Sequence, residues 1–245
     1  MRADNYNEIE STGEKMFSKW KFGKHALAIS LISIACVGTA SAATLSAETW
    51  RKAVNENAAN LKKGDYTTSL TASDRVLAEM VKFLGAGGSE DEMLATVLTQ
   101  KALAQAGLGN INEALWYWYI AQEISPAAAK SDLSGFGAPG EFLKRHPFAI
   151  ADSNPGPRTT PAKVLKQVVP NFPSGASHFG AGDLVVHVVI DSNGAPTLPH
   201  IVHPLPAPTL SFVALEALKR WQFEPAKQNG QAVSFPFNLT VHYKL

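Results

Sequence analysis

The sequence predicts an α+β chain, with α-helical hairpins first and a small module of antiparallel strands and helix after them. Three observations predict it. From Trp50 to Gln122 apolar residues recur at spacings of three and four, the period of a helix face. From Asp183 onward, β-branched runs and a two-residue alternation take over. Between them, Pro147–Thr160 reads PFAIADSNPGPRTT, whose three prolines with glycine, serine and asparagine have the composition of a linker. The predicted segments are residues 1–42, a signal or anchor; 46–146, helical; 147–162, linker; and 163–245, the α+β module.

Composition excludes several functions. The 245 residues carry a formal charge of +1, which offers no basic face for a nucleic-acid duplex. A single cysteine excludes a disulfide framework and a cysteine-built zinc site. The hydrophobic fraction of 45% and charged fraction of 18% are those of an ordinary globular chain.

The N-terminus reads as an export signal. Ala26–Ala40 is an uncharged apolar run, preceded by Lys15, Lys19, Lys21 and Lys24 and followed by the small-x-small triplet Ala40-Ser41-Ala42. As a helix its 15 residues span roughly 22 Å, short of a bilayer core of about 30 Å, although extension through Leu45 gives a marginal span. Cleavage after Ala42 and retention as an anchor are the two alternatives, giving an exported protein or one held at the membrane it crosses. Asp4, Glu8, Glu10 and Glu14 suit a signal poorly, and Met16 would give a conventional start. Cys36 lies inside the run without the leucine that opens a lipid-attachment box. Residues 1–42 hold five basic and four acidic side chains, so cleavage leaves 17 of each sign.

The helical part reads as two helix pairs. Trp50–Lys63, the turn Gly64-Asp65-Tyr66 and Thr67–Leu84 form the first. The second opens on a Ser89/Glu92 capping box. Met93, Leu94, Val97, Leu98, Ala102, Leu103 and Ala106 follow on one face, and Gly107–Asn110 ends that helix. Ile111, Ala114, Leu115, Trp118, Ala121 and Gln122 mark the next helix, closed by Pro126. Gly109, Ala114, Trp118, Ala121 and Pro126 keep the spacing of the second half of a tetratricopeptide repeat, and this region resembles that family of interaction scaffolds. The turn glycines Gly64 and Gly109 stand 45 residues apart, so the earlier unit is elongated, and a plain helical bundle is the alternative. A capping helix is expected near Glu141–His146. Trp116, Tyr117, Trp118 and Tyr119 are consecutive and point around the helix. At least one of the three besides Trp118 should be exposed as a docking anchor or covered by a neighbour, burial being favoured.

In the C-terminal module, Asp183–Asp191 reads as a strand, Ser192-Asn193-Gly194 as its turn and Pro196–His203 as a partner strand interrupted by prolines. A helix follows from about Pro208 to Trp221. Asn229-Gly230 marks a hairpin. In the last strand Phe235, Phe237, Leu239, Val241 and Tyr243 face one way, and Ser234, Pro236, Asn238, Thr240 and His242 the other.

Several motifs of this module then fall in the order of a known family. They are Pro170-Asn171-Phe172-Pro173 with Ala176; Gly182 with Val185–Asp191 and Gly194; Ala214 and Ala217 with Trp221-Gln222-Phe223-Glu224-Pro225-Ala226; and Asn229-Gly230 before the final strand. The segment resembles the C-terminal domain of TonB, the energy transducer of Gram-negative bacteria. That resemblance implies a three-stranded antiparallel sheet with two helices, and binding of an extended peptide, the TonB box of an outer-membrane transporter, along the last strand. The implied partner-binding residues are Ser234, Pro236, Asn238, Thr240 and His242 with Pro170 and Phe172. An edge strand offers unpaired N–H and C=O groups to a visitor, and Pro236 suits an edge; its alternative reading is an edge merely blunted by that proline and a charged end. Implied partners are outer-membrane receptors, with a second protein at the helices. The anchor motif of transducers, serine followed by histidine, does not occur in the apolar run, and Val169 stands where well-studied members have glutamine.

Enzyme motifs do not survive inspection. Gly135-Phe136-Gly137-Ala138-Pro139-Gly140 matches a dinucleotide fingerprint by letter, but no strand precedes it and it reads as a turn. Ser18-x-x-Lys21 lies in the export signal. His200 and His203 belong on opposite strand faces, and His187 and His242 could meet on neighbouring strands without an acidic partner. No cofactor, metal or catalytic residue is expected.

Overall fold

The computed structural model describes residues 35–88, 90–147 and 159–244, with side chains from Ala47 onward. The chain divides into the units Met1–Ala40 and Ser41–Leu245. Residues 26–34 of the apolar run lie outside the described residues, and from residue 35 to 46 only helical backbone is described. Among the described residues, no helix is long and apolar enough to cross a membrane.

Helices α1 (Ala35–Lys62) and α2 (Tyr66–Gly85) meet at Lys63–Asp65, where Gly64 takes φ +78°. Asp65 caps α2 by accepting a hydrogen bond from Thr68 N at 3.2 Å. Trp50 fastens α1 to α2: its indole N–H donates to Glu79 Oε2 at 3.0 Å and its ring meets Phe83 edge-on. Helices α3 (Asp91–Gly107) and α4 (Ile111–Ile124) form the second pair around Gly109, at φ +80°. Ala102, Ala114 and Ala121 are fully buried in it. The capping-box serine, Ser89, lies outside the described residues. Glu92 accepts from Ser125 Oγ at 3.0 and 3.1 Å.

Helix α3 departs from the expectation of a single apolar face. Thr99, Gln100, Lys101 and Gln105 are buried too, because α2, α4 and α5 (Gly137–Lys144) all pack on it. Its polar side chains find partners: Gln100 bonds Val54 O and Asn57, and Lys101 Nζ pairs with Asp74 at 2.6 Å. Helix α5 is the expected closing helix, but it begins before Glu141. The glycine-rich segment expected as a turn is a 3-10 turn, Ser134–Phe136, followed by the start of that helix.

The C-terminal part holds strands β1 (Thr159–Thr160), β2 (Lys163–Lys166), β3 (Gly182–Ile190), β4 (Pro196–His203), β5 (Gln222–Glu224), β6 (Ala226–Gln228), β7 (Gln231–Val233) and β8 (Phe235–Tyr243), with helix α6 (Pro208–Leu218). The main sheet has the order β4-β3-β8, antiparallel throughout. A ribbon pairs β1 with β6 and β2 with β5, and β6 turns into β7 through Asn229-Gly230, both at positive φ as a two-residue hairpin demands. Thr159 and Thr160, read as linker, therefore belong to the ribbon. Leu184, Val186, Val188 and Ile190 alternate along β3 and share a core with Leu210, Ala214, Leu215 and Leu218 of α6. On the other face of β3, His187 and Val189 are also buried, and α4 packs on the neighbouring strand β4.

Helices and sheet thus meet within Ser41–Leu245. All four aromatics of Trp116–Tyr119 are buried, none more than 6% exposed. The exposed anchor that their consecutive order allowed is absent: Tyr117 meets Glu216 and Lys219 of the α/β part, and Trp118 donates to His146 O beyond α5. Tyr117 lies between two ammonium groups, Lys101 Nζ 4.2 Å and Lys219 Nζ 4.5 Å from its ring centroid. Lys219 donates to Tyr117 Oη at 2.6 Å and to Glu113 at 2.5 Å, and the phenol donates to Glu216 at 3.4 Å. Burial first, then Glu216 and Glu113, push the Tyr117 phenol well above its ordinary value.

Candidate functional site: the free edge of the last strand

Strand β8 runs nine residues and pairs with β3 along all of them, from Gly182↔Tyr243 to Ile190↔Phe235. Among the described residues no strand pairs with its other edge. Sequence alone sets this strand's two faces. Leu239, Val241 and Tyr243 are buried and Phe235 and Phe237 half-buried, while Ser234, Asn238, Thr240 and His242 are exposed and Pro236 is half-buried.

Pro236 fixes which peptide groups face outward. Having no N–H, it breaks no ladder bond with β3 only if its nitrogen points to the free edge. The amides of Asn238, Thr240 and His242 then point the same way, two residues apart.

Two polar residues of this strand are held from β3. His187 Nδ1 lies 2.8 Å from Asn238 Oδ1, and His242 Nδ1 lies 2.7 Å from Asp183 Oδ1. His187 and His242 therefore do not meet, and an acidic partner exists that the sequence did not reveal. His200, in register with His187 on β4, turns to Glu123 of α4 at 2.5 Å, while His203 contacts Asp183 O at 3.0 Å. Register shifts in β4, with Leu198 at φ +48°, accompany its prolines.

The lead-in residues reach the far end of the same strand. Phe172 packs edge-on against Tyr243, with ring centroids 4.6 Å apart, and Tyr243 Oη donates to Ala176 O at 2.6 Å. Pro170 is half-buried nearby in sequence. The 3-10 turn Ser174–Phe179 packs against α2, where a side chain on Gly175 would collide with the Gly85 carbonyl. Trp221, expected on the helix, lies beyond its end and donates to Val168 O at 2.9 Å. Asp183, Glu123 and Lys219 were missed by sequence reasoning; their partners lie 59 to 106 residues away, and no local spacing signals them.

Among the described residues, no group of three or more histidine, cysteine, aspartate or glutamate side chains could hold a metal ion. The arrangement offers hydrogen-bonding backbone along an open edge, which is chemistry for binding an extended chain.

Residues 169–245 match the family model described as the Gram-negative bacterial TonB protein C-terminal, a family of protein-interaction domains. The match takes in β3, β4, α6, β8 and the lead-in from Val169, and leaves the helical hairpins outside it. No curated protein matches the chain.

Proposed function

We propose that this protein is a TonB-like interaction protein of the periplasm that binds an extended segment of an outer-membrane receptor by adding it as a fourth strand beside β8. The single observation that carries the reading is the nine-residue strand β8, paired on one side only among the described residues. Incoming main-chain groups would pair with the outward peptide groups of Asn238, Thr240 and His242, with Ser234 and Pro236 at the start of the strand and Phe172 at its end. The family match at residues 169–245 supports this class of partner. The helices would serve as a mount for the sheet, α4 packing on β4. No second partner is proposed there.

Titrating a TonB-box peptide onto the full chain, read by amide NMR, tests the proposal. Shifts concentrated in Ser234–Tyr243 are expected; saturating peptide with no shift in those amides would defeat it.

A further inference from the structure

Strand β8 offers a visiting strand side chains as well as peptide groups. Asn238 is exposed on its polar face, and the register sets His187 of β3 directly opposite. Their contact, His187 Nδ1 to Asn238 Oδ1 at 2.8 Å, can be made in two ways. In one, the imidazole carries its proton on Nδ1 and donates to the amide oxygen. In the other, the amide is turned over, Nδ2 donates to a bare Nδ1, and the ring proton sits on Nε2. The Nε2 atom decides between them. It is buried, and among the described residues it has no hydrogen-bond partner. A lone pair is tolerated there better than an N–H, since a buried donor without an acceptor is the rarer defect. A doubly protonated ring would leave the same N–H unmet and bury a charge as well. His187 is therefore a donor at Nδ1, and the Asn238 oxygen faces β3. The oxygen and nitrogen of a planar amide diverge from one carbon, so Nδ2 turns away from β3, toward the open edge. Among the described residues Nδ2 makes no hydrogen bond of its own.

We propose that Asn238 selects a carboxylate side chain, aspartate or glutamate, at the position opposite itself in the strand that pairs with β8. His187 is the positioning residue that fixes the amide for this. The inference rests on the reading of β8 as a site of strand addition and adds a side-chain preference to it. Directly opposed residues of paired strands have Cβ atoms about 4.5–5.5 Å apart, within reach of one side-chain hydrogen bond. A carboxylate only accepts, and its bond to an N–H is stronger than one between neutral groups. A lysine only donates and would meet the two N–H groups of Nδ2 with no acceptor between them. Because the selecting group is a neutral amide in contact with its target, the preference should survive added salt, which screens separated charges.

The test uses the full chain and a TonB-box peptide scanned one position at a time, with aspartate and then lysine at each. At one position aspartate should bind about fivefold tighter than lysine, in about 0.5 M salt as in dilute buffer, and that peptide should shift the Asn238 Nδ2 protons. Asn238→Leu removes the donor without changing the charge. It should erase the preference at that position while the amides of Thr240 and His242 still respond to peptide. Long-range proton–nitrogen correlation of the His187 ring should find its proton on Nδ1. Peptides that bind along β8 with no position favouring aspartate overturn the inference and leave strand addition standing. A preference that survives Asn238→Leu does the same, as does a proton on His187 Nε2. No response of any β8 amide to any peptide removes both readings.

Discussion

Gly194 closes the turn after β3 with φ +81°, and its carbonyl accepts from Phe223 N at 3.1 Å. Asp191 Oδ1 holds the same turn by accepting from Asn193 N and Ala195 N, each at 2.9 Å. A side chain at 194 would meet the Phe223 carbonyl and strain a left-handed backbone. Gly194→Ala should therefore cost about 2 kcal/mol or more in urea unfolding of the full chain. Tyr117 gives a second prediction, through pH. Folded Tyr117 keeps its proton where an unfolded phenol, of ordinary pKa 10.0, loses it. Its contribution to stability is whole below that value and falls as pH rises above it, by about 1.4 kcal/mol per pH unit for one proton. Tyr117→Phe should remove much of that slope in melts between about pH 10 and 11.5, leaving a remnant from Tyr119 and Tyr243, which burial shifts the same way.

Strand β8 and helix α3 show what single elements reveal in sequence. The alternation Phe235–Tyr243 was legible because one side of β8 meets the core and the other water, so its period survives in the residue types. Helix α3 was legible as a helix but not as a central one. Its buried Gln100 and Lys101 look like surface residues until α1 and α2 bring Asn57, Val54 and Asp74 to them. The face to which β8 presents its peptide groups can be tested by proline. Thr240→Pro removes an outward N–H and should leave the thermal midpoint nearly unchanged while weakening peptide binding about fivefold to tenfold. Val241→Pro removes a ladder bond to β3 and should unfold the module, seen as loss of amide dispersion.

At the scale of the molecule, sequence separated two parts that the fold joins. A proline-rich stretch reads as a spacer, yet its end, Thr159–Thr160, pairs with β6, and α4 packs on β4. The joining residues were hidden because each makes its contact across a long loop of chain: Tyr117 with Glu216 and Lys219, Glu123 with His200. Trp116, beside Tyr117 on α4, is 2% exposed. Trp116→Ala should cost about 3–5 kcal/mol and lower hydrogen-exchange protection in β3 as well as in α4, because the two parts unfold together. Binding of an extended chain is proposed at the open edge of β8. Residue-resolved hydrogen exchange of the full chain, with and without a saturating TonB-box peptide, tests it most directly. New protection is expected at the amides of Asn238, Thr240 and His242, every second residue, while Leu239 and Val241 are protected from the start by β3. Unchanged exchange at those three amides with peptide bound would contradict it.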